Sequence, residues 1–122
     1  MNFVFSYGTL SLEPTYALLT INSQINFDQS INEHLTHIFK EYYKDQSFHL
    51  ISNRVNEYAI DYTVYDKLNE LKNLMTLIIV SERPQFQQSF QTIEKHLIKK
   101  DVFFFTRLDE ALEKVRYIHT LI

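Results

Sequence analysis

The chain has 122 residues, which is enough for one domain with its own hydrophobic core. Hydrophobic residues make up 45% of the chain and charged residues 22%, as expected of a folded protein rather than a disordered one. Twelve Lys and Arg against fifteen Asp and Glu give a formal net charge of -3 without charge blocks, which argues against a nucleic-acid partner. Cysteine is absent, so disulfides, thiol nucleophiles and thiolate metal sites are excluded.

The apolar segments of the chain are short. None approaches the ~18 consecutive residues that a membrane-spanning helix needs. The N-terminal residues lack the basic region that precedes the apolar part of a signal peptide. We therefore expect a cytoplasmic protein without a membrane span.

Alternating side chains open the chain. Phe3, Phe5 and Tyr7 alternate with other residues, and after Gly8 the alternation resumes through Leu10 and Leu12, which predicts a first strand with a possible bulge at the glycine. Residues 16–21 predict a second, more buried strand. Because the connection between the two is too short for a parallel crossover, we expect a hairpin whose first strand runs antiparallel to the rest of the sheet.

The most apolar stretch is residues 74–81, which is nearly unbroken and rich in β-branched residues. This pattern is typical of a strand covered on both faces, so it predicts the centre of a sheet with helices on either side. Two shorter apolar runs, residues 48–51 and 102–105, predict two further strands.

Helical spacing of apolar residues separates these strands. Asp28 and Ser30 are candidate caps for a first helix, whose apolar positions are Ile31, Leu35, Ile38, Phe39 and Tyr42. Asp61 is a candidate cap for a second helix over residues 62–72. Pro84 suits the first turn of a third helix, whose apolar stripe is Phe86, Phe90, Ile93 and Leu97. Thr106 and Asp109 resemble a capping box before a fourth helix, whose apolar positions are Leu108, Ala111, Leu112, Val115 and Ile118.

The predicted element order is therefore ββαβαβαβα. It indicates an α/β fold with a mixed, mainly parallel sheet of five strands and with four helices, in a single domain over residues 1–122. We expect Leu77, Ile79, Phe90 and Leu112 in its core.

Three stretches of the chain carry a resemblance to a known protein family. They are Ile51-Ser52-Asn53-Arg54 with Asn56, Tyr58, Asp61 and Val64-Tyr65; the strand end Val80-Ser81; and residues 103–111. Together they resemble the STAS/SpoIIAA-like proteins, in particular a bacterial branch of small single-domain members. The resemblance covers nearly the whole chain in element order and is specific only in the first and last stretches. It implies a βα superhelix, a fold shared by anti-sigma-factor antagonists and by CRAL-TRIO lipid-binding domains, and it implies no single function.

In the antagonists, a phosphorylatable Ser lies at the start of the helix after the third strand, within an Asp-Ser-Ser/Thr-Gly pattern. This chain has Asp61-Tyr62-Thr63-Val64 there, without the glycine. Thr63 is therefore the one candidate phosphoacceptor that the resemblance places, and the departure from the pattern puts a phospho-switch in doubt.

Several kinds of chemistry are excluded or disfavoured. Gly8 is the only glycine, so the glycine-rich phosphate loops of nucleotide sites and a nucleophile elbow are excluded. His34, His37 and Glu41 could ligate a metal from one side of the first helix, but a solvated polar flank is the commoner reading of such a pattern. His49, His96 and His119 are isolated in the sequence, and Asp109 with Glu110 suits a helix N-terminus. We expect no catalytic residues, no metal site and no cofactor.

The segment 52–65 is the strongest candidate for a binding site. It leaves the carboxyl end of a strand, where ligands bind in open α/β sheets, and it is long for a connection. Its candidate recognition residues are Arg54, Asn56, Tyr58 and Tyr65. Arg54 could clamp an anion while the tyrosines line a slot. Alternatively, Arg54 and Asn56 satisfy backbone groups in a long loop and Tyr58 plugs the sheet edge.

The sequence thus favours a non-catalytic binding or regulatory module that acts through the segment 52–65. A carrier of a small lipophilic or anionic ligand is the alternative, suggested by the aromatic content and by the CRAL-TRIO fold kinship, and an enzyme is the least favoured class. The expected partner is a protein or a small ligand, and homodimerisation is left open.

Overall fold

The computed structural model describes residues 1–121 and contains eight strands and five α-helical segments. The strands are β1 Asn2–Phe5, β2 Gly8–Leu12, β3 Tyr16–Ile21, β4 Asn26–Phe27, β5 Phe48–Asn53, β6 Ala59–Ile60, β7 Leu74–Val80 and β8 Asp101–Phe105. The helices are α1 Gln29–Tyr43, α2 Val64–Asn69, α3 Pro84–Ser89, α4 Lys95–Leu97 and α5 Leu108–Thr120. A π-helical turn, Phe90–Glu94, joins α3 to α4, so the chain from 84 to 97 forms one continuous helical stretch.

Six of the strands form one sheet in the order β1-β2-β3-β5-β7-β8. Strands β3, β5, β7 and β8 pair in parallel, whereas β2 pairs antiparallel with both β1 and β3. The predicted α/β class with a mixed, mainly parallel sheet is therefore confirmed. The predicted central strand, β7, is the fifth of the six rather than central, although its residues other than Met75 are buried.

The predicted strand count and element order are wrong, and the N-terminal segment is the first reason. A turn at residues 6–7 divides the predicted first strand into β1 and β2, so that only β2 runs against the rest of the sheet. Gly8 is the first residue of β2 and not a bulge. A Cβ atom there would lie 2.2 Å from the Thr20 carbonyl oxygen, so this close approach of two backbones requires glycine.

The second reason is a small parallel sheet made of β4 and β6, which pairs Asn26 with Ala59 and Phe27 with Ile60. Each strand has only two residues, which is too short to leave an alternating pattern in the sequence. This sheet ties the segment 52–65 to the chain that precedes α1.

The predicted start of α1 is confirmed. Asp28 is its N-cap, and the Asp28 carboxylate accepts a hydrogen bond of 3.1 Å from the Ile31 amide. At the C-terminal end of α1 the buried face differs from the prediction. Tyr42 was predicted to face the core, but it is 37% exposed and Tyr43 is buried instead. Asn32 also lies on this face and donates to the Val64 carbonyl, which fixes α1 against α2.

Two predicted caps have other partners. The Asp61 carboxylate accepts from the Thr63 amide and hydroxyl and so closes the turn before α2, which is shorter than the predicted helix 62–72. Asp109 binds the Arg107 guanidinium at 2.9 Å rather than completing a capping box with Thr106. Arg107 is the N-cap residue of α5, and its side chain makes no capping hydrogen bond; Asp109 Oδ1 accepts from the Glu110 amide at 3.1 Å.

The third helical stretch contains a π-helical turn and differs from the predicted helix in which residues face the core. Pro84 opens α3 as predicted, and Phe86 and Phe90 are buried. The Lys95 amide donates to the Phe90 carbonyl, five residues back, which widens the turn. Ile93 is 39% exposed, against prediction, and Glu94 is fully buried.

The core lies on both faces of the sheet. A large cluster fills the face beneath α1, α2 and the helical stretch 84–97, and a smaller cluster lies beneath α5. Leu77, Ile79 and Phe90 are buried in the large cluster as predicted, whereas Leu112 is only half-buried at the smaller one. Within residues 1–121 no helix has both the length and the apolar character that crossing a membrane requires.

Candidate functional site

A buried ion pair lies beneath the start of the segment 52–65. The Arg54 Nη1 atom donates to Glu94 Oε2 at 2.9 Å and Arg54 Nη2 donates to Glu94 Oε1 at 2.7 Å. The two side chains are 3% and 0% exposed. This bidentate geometry is the strongest form of an arginine–carboxylate contact, and it uses both carboxylate oxygens of Glu94.

Hydroxyl groups complete the pair. Arg54 Nε donates to the Ser52 hydroxyl at 3.2 Å, and the Tyr65 hydroxyl both accepts from Arg54 Nη2 and donates to Glu94 Oε1. The Ser89 hydroxyl donates to Glu94 Oε2 at 3.1 Å and is bonded in turn to the Tyr62 hydroxyl at 2.7 Å. Every polar group of the pair therefore has a partner, as a buried charge requires.

The electrostatics follow from this burial. Burial opposes the charge on Arg54, but the nearby Tyr58, Tyr65 and Glu94 outweigh it and raise the Arg54 pKa. Burial is also the largest cause that raises the pKa of the Tyr65 hydroxyl. Arg54 thus stays charged and Tyr65 stays protonated at neutral pH. The Phe86 ring covers the Arg54 guanidinium, and its centroid lies 5.1 Å from Arg54 Cζ.

Two strand ends and the π-helical turn place these groups. Arg54 follows β5, and its amide donates to the Val80 carbonyl of β7 at 2.8 Å. The Ser81 hydroxyl donates to the Arg54 carbonyl at 3.2 Å, so the backbone of Arg54 is fixed on both sides. Glu94 ends the π-helical turn, four residues after the buried Phe90, and is fully buried.

The other predicted site residues lie nearby but have different partners. Asn56 donates to the carbonyl of Ile21 at the end of β3 at 3.0 Å. Tyr58 is half-buried, its ring centroid lies 5.2 Å from that of Phe86, and burial is the largest cause that raises its pKa. The structure therefore brings Arg54, Tyr58 and Tyr65 together and places Asn56 apart. Their role in binding stays a prediction.

Thr63, the candidate phosphoacceptor, is exposed in the turn before α2. Its hydroxyl donates to the Asp61 carboxylate at 2.7 Å and accepts from Gln29 Nε2 at 3.0 Å. A phosphate on this oxygen would lie against the Asp61 carboxylate, and like charges in contact repel. The phospho-switch stays a hypothesis that this geometry disfavours.

An open crevice lies where three parallel strands end. Its volume is about 760 Å³, within the range of small-molecule sites. Its walls are residues 53–55, 80–85 and 106–109, which lie at or directly after the ends of β5, β7 and β8. Arg83 and Arg107 both line it, and Arg83 Nε donates to the Val55 carbonyl at 3.1 Å. We call this the carboxyl-edge crevice. The sequence predicted only the wall that belongs to the segment 52–65, because Arg83 and Arg107 lie far apart from it and from each other in the sequence.

A second groove of about 880 Å³ lies beside it, lined by residues 23–26 and 57–59 and sharing Arg83 and Gln85 with the carboxyl-edge crevice. The segment 52–65 therefore separates two open surfaces. Val55, 56% exposed, projects from the segment at the crevice, and Glu57 and Ala59 are exposed at the groove.

The interior holds a small cavity of about 40 Å³, walled mainly by apolar side chains from the sheet, α1 and α2. Ser52, Tyr58 and Tyr65 also line it, so it adjoins the buried ion pair. Its volume is sufficient for water and more than sevenfold below the ~300 Å³ at which ligand pockets begin.

The predicted histidine candidates do not converge. His34 Nδ1 is bonded to the Tyr7 hydroxyl at 2.6 Å, and His37 contacts Glu41 at 4.0 Å on the exposed side of α1. Residues 1–121 contain no group of three or more His, Cys, Asp or Glu that could hold a metal ion. His49 is fully buried, its ring nitrogens have no hydrogen-bond partner in the described part of the chain, and its ring lies 6.0 Å from that of His119.

Glu94 is the site residue that the sequence pattern conceals. Its spacing of four from both Phe90 and Ile98 would have indicated a second inward-facing series, and a buried Arg54 needs a carboxylate.

A comparison of the chain with protein-family models, with curated proteins and with solved structures finds no match in any of the three. The STAS/SpoIIAA-like assignment therefore stays a proposal, supported by the residues that carry the resemblance.

Proposed function

We propose that the protein is a non-catalytic binding or regulatory module of the STAS/SpoIIAA-like kind, which acts through the segment 52–65 and the adjoining carboxyl-edge crevice. The position of the crevice carries the proposal. It lies at the carboxyl ends of the parallel strands β5, β7 and β8, which is where open α/β sheets bind their ligands. The first residues of the segment form one of its walls.

Within this module we assign different roles to the two kinds of residue in the segment. Arg54 and Tyr65 are buried and bonded to Glu94, so they hold the segment in place and act as positioning residues. The groups that meet a ligand are those at the open surface, namely Asn53, Val55 and, across the crevice, Arg83. Asn56 and Tyr58 support the far end of the segment, where Tyr58 reaches the second groove.

Arg83 favours an anionic ligand group in the crevice. Glu82 and Asp109 also line the crevice, and Asp109 already binds Arg107 through Nε and Nη2, whereas Arg83 forms no salt bridge with a carboxylate of residues 1–121. Guanidinium groups bind carboxylates and phosphates with paired hydrogen bonds. The ligand group that we propose is therefore a carboxylate or a phosphate, carried either by a partner protein or by a small molecule. The carrier alternative is retained in this anionic form, because the 40 Å³ interior cavity has no room for a lipid chain.

A matched pair of variants tests the proposal. Arg83→Ala removes a charge from the crevice, and Arg116→Ala removes the same charge from an exposed position of α5 outside it. Pull-down from lysate and native mass spectrometry of freshly purified protein separate a protein partner from a carried small molecule. Titration with inorganic phosphate and with acetate, followed by nuclear magnetic resonance, reports which residues meet the anion.

We expect the anion to shift resonances of residues 53–55, 83 and 106–108, and we expect Arg83→Ala, but not Arg116→Ala, to weaken binding. If both variants lost binding equally, the loss would reflect the overall charge of the protein and not the crevice. Shifts confined to other surfaces would contradict the proposed site, and turnover of a substrate would contradict the non-catalytic assignment.

A further inference from the structure

The last strand of the sheet has an unprotected edge. β7 pairs with one side of β8, and no strand of residues 1–121 pairs with the other. Residues 102–105 are Val-Phe-Phe-Phe, and each of them is only partly buried. Edge strands of monomeric proteins usually carry a lysine, a proline or a bulge that prevents pairing with another chain, and this run has none of these.

The backbone of β8 presents hydrogen-bonding groups to that edge. The Ser81 amide donates to the Phe105 carbonyl at 3.0 Å, so the backbone groups of Phe105 face β7. Because the direction alternates along a strand, the backbone groups of Phe103 also face β7, and those of Val102 and Phe104 face outward. Val102 and Phe104 are therefore the residues with which an added strand would pair.

Space for an added strand lies along this edge. An open groove of about 520 Å³ is lined by residues 102–106, by Phe90 with its neighbours Gln87 and Gln91, and by Glu110 of α5. Its floor is aromatic, and its rim carries two neutral amides and one carboxylate. Such a groove suits an extended, apolar segment that adds to the sheet.

The charges at the two ends of β8 indicate which segment this is. Asp101 begins the strand, and Arg107 follows its end; both are exposed. A strand with an acid at one end and a base at the other is complementary to itself when two copies run antiparallel. Arg107 binds Asp109 through Nε and Nη2, which leaves Nη1 for a second carboxylate.

We propose that β8 pairs antiparallel with β8 of a second copy of this chain, about a two-fold axis at Phe104. In this register Phe104 faces Phe104 of the second copy, Val102 faces Thr106, and Asp101 faces Arg107. The outward backbone groups of Val102 and Phe104 then form the new hydrogen bonds. A two-fold axis at Phe103 would instead place Lys99 opposite Arg107, with like charges in contact.

The opposite edge of the sheet provides the control. β1 also has a free side, and the mutual bonds between Met1 and Leu12 direct the backbone groups of Val4 outward. Val4 is 84% exposed, and β1 carries no charged residue that would set a register. Proline at either Val102 or Val4 removes an outward-facing N–H group without removing a hydrogen bond inside the sheet.

Charge reversal tests the register. We expect the wild type to form dimers in a sedimentation series up to about 1 mM. Asp101→Arg and Arg107→Asp should each shift the protein to monomer, because each places like charges face to face across the two-fold axis. The double variant carries both changes and should dimerise again. A wild type that stays monomeric throughout the series, or a double variant as monomeric as the single ones, would overturn the proposal.

Proline substitution tests the edge. Val102→Pro should abolish the dimer and Val4→Pro should leave it intact, with circular dichroism as the check that each variant is folded. If Val102→Pro does not fold, the charge-reversal series decides alone. A dimer that Val4→Pro disrupts, or that survives Val102→Pro in a folded protein, would assign the contact to another surface and overturn pairing through β8.

Discussion

Arg54 and Glu94 are 40 residues apart in the sequence and form a buried, bidentate ion pair with contacts of 2.9 and 2.7 Å. Arg54 follows β5 and Glu94 ends the π-helical turn, so the pair joins the sheet to the helical stretch 84–97 beneath the segment 52–65. Removing one partner leaves the other charge buried and unpaired. We therefore expect Arg54→Ala or Glu94→Ala to lower the free energy of unfolding by about 3–5 kcal/mol in urea titrations.

The exposed pair Lys67–Glu70, whose atoms lie 3.9 Å apart, is the control. Lys67→Ala should change the free energy of unfolding by less than about 1 kcal/mol, since solvent screens such pairs. The double variant Arg54→Met with Glu94→Leu removes both charges together, so it should be more stable than either single variant. A cost below about 1 kcal/mol for Arg54→Ala would show that the pair does not hold the segment in place.

A second prediction concerns β7, in which Ile79 and Met75 differ in exposure. Ile79 is fully buried, so Ile79→Asp should unfold the protein, because an unpaired charge there has neither water nor a partner. Met75 lies in the same strand and is 41% exposed, so Met75→Asp should leave a cooperative thermal transition. A thermal midpoint that Ile79→Asp leaves unchanged would contradict the two-sided burial of β7.

A third prediction concerns pH. Burial, and to a lesser extent His119, lowers the pKa of His49 below its usual 6.5. The unfolded chain therefore binds a proton near pH 6.5 that the folded chain does not, so stability is lost as the pH falls below 6.5 towards the lowered pKa. The loss from this one group is at most about 1.4 kcal/mol per pH unit.

Urea titrations between neutral and mildly acidic pH measure this loss. His49→Leu removes the titrating group and should flatten the dependence, whereas His37→Gln, at an exposed position of α1, should leave it unchanged. An identical slope in wild type and His49→Leu would assign the acid sensitivity to other groups.

The sequence predicted those parts of the fold that one local pattern determines. The apolar run of β7, the Asp28 cap and the Pro84 start were correctly interpreted because propensity and burial agree there. The division of the first strand depends on the tight turn at residues 6–7, and β4 and β6 depend on pairing between distant loops. Neither leaves a periodic signal.

The candidate site likewise contains one part that the sequence predicted and another that depends on tertiary structure. Arg54 was predicted as a site residue because it follows the carboxyl end of a strand and can bind an anion, whereas its partner Glu94 was hidden by a helical stripe that predicted Ile93 to face inward. In the structure Glu94, four residues after the buried Phe90, faces inward, and Ile93 is 39% exposed. Arg83 and Arg107 meet in the carboxyl-edge crevice only because β7 and β8 are neighbours in the sheet.

The most direct test of the account compares Arg54→Ala with Arg83→Ala, measuring both the melting temperature and the binding of inorganic phosphate or of the retained partner. The account predicts that Arg54→Ala loses about 3–5 kcal/mol of stability, because Glu94 is left buried and unpaired. It predicts that Arg83→Ala keeps its stability and loses binding. Intact stability with lost binding in Arg54→Ala would instead make Arg54 a ligand contact, and unchanged binding in Arg83→Ala would contradict the crevice as the binding site.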